Sequence, residues 1–250
     1  MKVKRYGWVR DLPDQRDLYF SAPRGPKLPA KVDLRAKMPP IYNQGELGSC
    51  VANAVGAAVE YDQKVEHPKD VFAPSRLFIY YNARALEGTT SFDSGCQMRD
   101  GVKTVANQGT CPEKEWPYKI AEFAVKPPAK CYTDATKEKV LAYVRVQQQL
   151  SLMRGCLAGT GPFVIGISVY DSFESARTAK TGIVPMPAPD ENLLGGHAIL
   201  IAGYNDATQM FTFRNSWGTG WGAKGYGFIP YAYLTSSALA GDAWVLSKVA

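Results

Sequence analysis

The chain has 250 residues, 46% hydrophobic and 12% aromatic, with a formal net charge of +6. That composition excludes a largely disordered protein and suits one large domain or two intimately packed lobes around a substantial core. The positive charge is scattered rather than gathered into dense Lys/Arg runs, so nucleic-acid binding is not expected, and no apolar stretch reaches the ~18–20 residues of a membrane span.

Met1-Lys2-Val3-Lys4-Arg5 is basic like the start of a signal sequence. Trp8 is soon followed by Asp11, Asp14, Arg16 and Asp17, however, so no signal peptide is read and the compartment stays open between cytosolic and exported. Residues 1–28 are rich in Pro, Gly and charge and lack hydrophobic periodicity, so they are expected to drape over the surface without adding an element to the core. Ser49 is placed to cap a helix over residues 50 to about 64, with Val51, Ala54, Val55 and Ala58 at core spacing. A second helix is predicted from Pro74-Ser75 to near Gly88, a third from about 97 to 107 ending at Gly109, and a shorter one over 150–158. The texture then changes: 163–170 and 198–204 are β-branched and apolar, and 209–214, 225–229 and 243–249 follow as strands, with Asn205-Asp206 turning between two of them. A helical half followed by a β half predicts an α+β protein with two lobes.

Cys50 stands at the head of the first predicted helix, where unpaired backbone N–H groups lower a thiol's pKa. The sequence has only two histidines, so a base for that thiol is His197 or His67. His197 follows Gly195-Gly196 at the mouth of an apolar strand, whereas His67, in Glu66-His67-Pro68-Lys69, reads as an exposed loop residue. Asn215 lies across the Asn205-Asp206 turn from His197, where its amide can accept the second imidazole N–H, and Trp217 can shield that bond. Gln44, six residues before Cys50, can turn an amide back to form an oxyanion hole with the Cys50 N–H. The other cysteines, Cys96, Cys111, Cys131 and Cys156, form two bridges or none, and without C-x-x-C or paired histidines neither a metal site nor a cofactor is expected.

Pro29-Ala30-Lys31-Val32-Asp33-Leu34-Arg35, Asn43-Gln44-Gly45 with Gly48-Ser49-Cys50, Trp116-Pro117-Tyr118, Gly196-His197-Ala198, Asn215-Ser216-Trp217-Gly218 and Gly225-Tyr226-Gly227 occur in that order. Together they resemble the papain-like (C1) cysteine proteases, in a pattern closer to bacterial or other divergent members than to lysosomal cathepsins. The resemblance implies a helical left lobe (about 41–142) and a β-barrel-like right lobe (29–40 and 143–250), with the active cleft between them. It implies an endopeptidase acting on peptide or protein substrates through an acyl-thioester, with Cys50 as nucleophile, His197 as acid/base, Asn215 as orienter and Gln44 in the oxyanion hole. Gly95, Gly196 and Trp217 are then expected to contact substrate. Leu47 and Val51 replace the family's usual cysteine and aromatic residue, so the disulfide that usually anchors the helix cannot form, leaving Cys96 as its orphaned partner. Two rivals remain: a silent homologue that binds or regulates, and a ligating or amidohydrolase variant on the same scaffold. The chain is expected to be monomeric. Residues 1–28 are expected to act as a short pro-segment, Tyr6-Gly7-Trp8 and the acidic stretch after it folding back to obstruct the cleft.

Overall fold

The protein is described here through a computed structural model covering residues 6–21 and 27–249. The basic run Met1–Arg5 lies outside the described residues. In chain order the strands are β1 (Trp8–Val9), β2 (Lys31–Asp33), β3 (Cys96–Gln97), β4 (Val140–Arg145), β5 (Phe163–Tyr170), β6 (Leu193–Asn205), β7 (Met210–Arg214), β8 (Tyr226–Pro230) and β9 (Ala240–Val249). The α-helices are α1 (Cys50–Glu66), α2 (Arg76–Leu86), α3 (Met98–Asn107), α4 (Ala129–Ala135), α5 (Leu150–Gly159), α6 (Ala176–Thr181) and α7 (Tyr231–Thr235).

The fold is α+β, as the sequence predicts. Seven strands form an antiparallel sheet in the order β4-β9-β5-β6-β7-β8, and β2 takes over the edge of β6 beyond the point where β5 ends. Register shifts near Val169/Tyr170, Val164/Gly166 and Ile201/Gly203 bend the sheet. Among the described residues the strand path does not return on itself, so the β lobe is an open curved sheet and not a closed barrel.

Alternation along β5 and β6 gives the sheet two apolar faces. Val164, Ala198, Leu200 and Ala202 pack with Val51, Val55 and Val59 of α1, while Phe163, Ile165, Ile199 and Ile201 pack with Phe211 and Phe213 on the other face. α1 is alanine- and valine-rich because it is buried on nearly every side, between the sheet, α2 and α3. Gly101 of α3 lets that helix close on it: a Cβ there would lie 2.7 Å from the Val51 Cγ1.

Two expectations are corrected. Ser49 makes no side-chain cap; its hydroxyl instead lies 2.6 Å from the Tyr118 hydroxyl and accepts from Asn53 Nδ2 at 3.0 Å. The lead segment is no surface drape either. Trp8 belongs to the core cluster against α1, and β1 pairs in parallel with β3, Trp8 opposite Cys96 and Val9 opposite Gln97. Sequence periodicity could not reveal this, since the segment is held by one aromatic side chain and a set of carboxylates rather than by a repeating apolar face.

Those carboxylates are tied down at depth. Asp11 pairs with Arg145 (2.7 Å), and its two oxygens also accept from the Arg99 backbone (2.9 Å) and the Trp244 indole (3.0 Å). Asp17 holds both Arg99 (2.6 Å) and Arg145 (2.8 Å), and Asp242 accepts from the Asp11 N–H (2.8 Å).

Candidate active site

Cys50 is the first residue of α1 and is fully buried. Burial pushes its thiol up to about 11, against the pull of backbone N–H groups at Ala198, Gly7, Val51 and Cys50 itself. Three of those donors come from the helix terminus and from β6. The fourth, Gly7, belongs to the lead segment. Gly7 fits only because it is glycine: a Cβ there would lie 1.7 Å from the Gly48 carbonyl oxygen. Its own carbonyl accepts the Cys96 N–H at 2.9 Å, and a Cβ on Gly95, whose φ is +71°, would strike that carbonyl oxygen at 2.2 Å. An N–H rather than a carbonyl carbon therefore faces the sulfur.

His197 lies on β6 beside Ala198, fully buried, with Ile167 of β5 opposite it. Its Nε2 donates to Asn215 Oδ1 at 2.8 Å, an oxygen that also accepts from the Ser216 N–H at 2.8 Å. Nδ1 is buried without a hydrogen-bond partner among the described residues. Trp217 covers the imidazole with ring centroids 4.9 Å apart, and Phe173 lies edge-on at 6.3 Å. Tyr6 of the lead segment closes the remaining side at 6.2 Å, its hydroxyl donating to Glu174. Burial lowers the imidazole to about 4, more than the Asn215 bond raises it. Thiol and imidazole are thus both neutral near pH 7 in this closed arrangement.

Gln44 is fully buried, its Oε1 accepting from Ser216 Oγ (2.6 Å) and its Nε2 donating to Leu47 O (2.8 Å). The Asn-Ser-Trp-Gly run thus supplies two anchors in succession, Asn215 for His197 and Ser216 for Gln44. Sequence reasoning noticed the run and missed the role of its serine. It also missed Asp93, which accepts from the Gly48 N–H at 3.1 Å beside the nucleophile's helix.

Of the expected substrate-contacting residues, Gly95 and Gly196 line the groove that Gly7 and Trp8 fill, and Trp217 sits over His197 and 6.3 Å from the Tyr6 ring. His67 is exposed just past the end of α1. The Glu191 carboxylate accepts from the Ser172 and Ala188 N–H groups. All five cysteines are buried and unbridged. The fold does gather Cys111, Glu115 and Cys131 with donor atoms within 4.8 Å of one another, a grouping that their sequence spacing does not suggest.

Comparison with known proteins gives a consistent picture. A profile for papain family cysteine proteases matches residues 28–233. An uncharacterized peptidase C1-like protein of Acanthamoeba polyphaga mimivirus is 36% identical over 98% of this chain and 88% of its own length. Bovine cathepsin S is 25% identical over 84% of this chain, which spans 62% of that protein. The crystal structure of xylellain, a cysteine protease from Xylella fastidiosa, superposes with a TM-score of 0.93 at 40% identity, covering 100% of both chains. The chain therefore belongs to the papain family of cysteine proteases and is a papain-like cysteine peptidase.

Proposed function

We propose that this chain is a latent endopeptidase that hydrolyses peptide bonds through a Cys50 acyl-thioester and is held closed by its own lead segment. The observation that supports the reading is a thiol at a helix N-terminus that draws on the N–H of Ala198, the residue after an imidazole oriented through Nε2 whose Nδ1 has no hydrogen-bond partner among the described residues. Once Tyr6 and Gly7 leave, water reaches both groups and the burial that keeps them neutral is relieved. The Nδ1 lone pair then takes the thiol proton, and the resulting imidazolium stabilises the thiolate. Attack on a carbonyl throws negative charge onto its oxygen, which the Cys50 N–H and the Gln44 amide stabilise. His197 returns the proton to the leaving amine, and water repeats the sequence on the thioester. Gly95, Gly196 and Trp217 line the path of the substrate backbone.

Thiol alkylation tests this directly. In the full chain, iodoacetamide should label Cys50 very slowly at pH 7, the rate climbing toward pH 10 as expected for a thiol near 11. With the lead segment removed, labelling should be fast at neutral pH and an epoxysuccinate inhibitor should form one adduct per chain, at Cys50. No adduct from such a preparation rejects the catalytic assignment. Asn215→Ala should reduce kcat by roughly 10- to 100-fold with KM little changed, since the imidazole still exchanges protons but no longer keeps one orientation. A loss in KM alone, seen in steady-state kinetics, assigns Asn215 to binding instead.

A further inference from the structure

One peptide plane between Gln44 and the nucleophile is gripped at both ends. The Leu47 carbonyl accepts from Gln44 Nε2 at 2.8 Å, and the Gly48 N–H of the same peptide lies 3.1 Å from each oxygen of Asp93. Gly48 lets that carboxylate in: a Cβ there would lie 3.0 Å from Asp93 Oδ1, closer than ordinary van der Waals contact. Asp93 is itself held. Tyr80 of α2 is fully buried and donates its hydroxyl to Asp93 Oδ1, and the same hydroxyl accepts the Gly95 N–H at 3.1 Å. Arg84, one turn further along α2, is also fully buried, its guanidinium 4.0 Å from the Tyr80 ring centroid. That guanidinium donates to the Thr90 and Phe92 carbonyls at 2.9 Å each and to the Phe123 carbonyl. The loop that carries Asp93 is therefore wound on a buried cation, and any rearrangement would leave polar groups without partners or water.

Tilting that peptide would carry the Leu47 oxygen away from the Gln44 amide, and an oxyanion donor is worth most when it needs no reorganisation as the charge forms. Resting on the endopeptidase reading, we propose that Asp93 is a positioning residue for the oxyanion hole, fixing the Leu47-Gly48 peptide and through it the Gln44 amide. Tyr80 aligns the carboxylate and joins it to Gly95 on the wall of the groove. Asp93 touches no reacting atom and moves no proton. It acts by accepting hydrogen bonds, so its oxygen matters and its charge does not.

The test compares variants of the full chain carrying Trp8→Ala, so that the groove is open. Asp93→Ala should lower kcat on a short peptide about 10- to 30-fold with KM changed less than about threefold, part of the roughly 10²–10³-fold that one oxyanion-hole donor is worth. Iodoacetamide labelling of Cys50, a displacement that forms no oxyanion, should change less than about threefold in the same variant. Asp93→Asn keeps an oxygen for the Gly48 N–H and should recover most of the lost rate. In a Gln44→Ala chain, Asp93→Ala should cost less than about threefold further, since the donor it would misplace is already gone. A fall in labelling that matches the fall in kcat, full additivity with Gln44→Ala, or no rescue by asparagine overturns the proposal. Tyr80→Phe removes the hydroxyl and keeps the ring; it serves if the alanine chain does not fold, and should cost about fivefold in kcat. Amide hydrogen exchange in the full chain carrying Cys50→Ala and Trp8→Ala needs no turnover. Adding Asp93→Ala should speed exchange at Gly48 by about tenfold or more, and an unchanged rate there overturns the proposal. Faster exchange at Gly48 without cleavage by any preparation would reject the peptidase reading while leaving the clamp standing.

Discussion

Removing residues 1–27 is expected to raise turnover of a short peptide by about 100-fold or more, and Trp8→Ala in the full chain should recover much of that gain. The groove is occupied at three successive residues, Tyr6 against His197, Gly7 against Cys50 and Trp8 against Gly166 and Gly196. Truncating a buried tryptophan costs about 3–5 kcal/mol, and each 1.4 kcal/mol is tenfold in an equilibrium. The docked population should therefore fall by two to three orders of magnitude, and activity rises until opening no longer limits it. The single substitution is the cleaner experiment, because deletion also strips Asp11 and Asp17 from Arg99 and Arg145, leaving the largely buried Arg99 without a carboxylate and Arg145 with Asp242 alone. A deleted chain should thus be faster yet melt at a lower temperature. Equal rates for the full, substituted and truncated chains reject the inhibitory role.

The pH dependence of that gain has a definite sign. Burial, followed by the charge of Asp242, pushes Asp11 up from 3.8 to about 6 in the docked segment, despite Arg99, Trp244 and Arg145. The docked form holds this proton more tightly than the released form. Its contribution to docking is complete below about 3.8 and lost as pH rises through about 6. Activation by Trp8→Ala, taken as the ratio of substituted to parent rates at each pH, should therefore be larger at pH 5.5 than at pH 7.5. Acid does not loosen this latch through Asp11. A ratio that falls on acidification would place the controlling group elsewhere.

Much of this site was legible because its parts are short motifs at element ends. Cys50 at the head of α1, His197 on β6 and Asn215 just after β7 all follow from apolar runs whose boundaries are marked by small residues and turns. Strand β5 matches its sequence prediction residue for residue, since a continuous β-branched run has few alternatives. The neighbouring Gly195-Gly196 reads as a strand boundary from sequence, yet β6 runs through it from Leu193, because glycines are tolerated where another chain segment lies on top. Strand β4 went unread: its exposed Leu141 and Ala142 break the alternation that a half-buried strand would carry. The lead segment was the least legible. Its hold depends on which distant carboxylates meet Arg99 and Arg145, and pairings across more than eighty residues leave no local signature.

Cys50→Ala should abolish turnover, by a factor on the order of 10⁴ or more, while leaving the fold in place. Loss of a nucleophile in a serine peptidase costs about 10⁶ in kcat, the residual rate coming from binding and the oxyanion hole, and the same logic applies when the attacking atom is sulfur. Stability should change little for two opposing reasons. The side chain is fully buried, so deleting one sulfur leaves a small cavity and removes a weak acceptor from the N–H groups of Gly7 and Ala198. Against this, α1 owes its place to Val51, Val55 and Val59 against the sheet, contacts that the substitution does not touch. The expected cost is about 1 kcal/mol, read as a melting shift of a few degrees at most. The melting temperature and the rate must be taken on the same Trp8→Ala background, so that an occupied cleft is not mistaken for a dead one. If Cys50→Ala cleaves peptide at even a hundredth of the parent rate, sulfur is not the attacking atom, and the chemistry assigned to this cleft has to be carried by water activated at His197 instead.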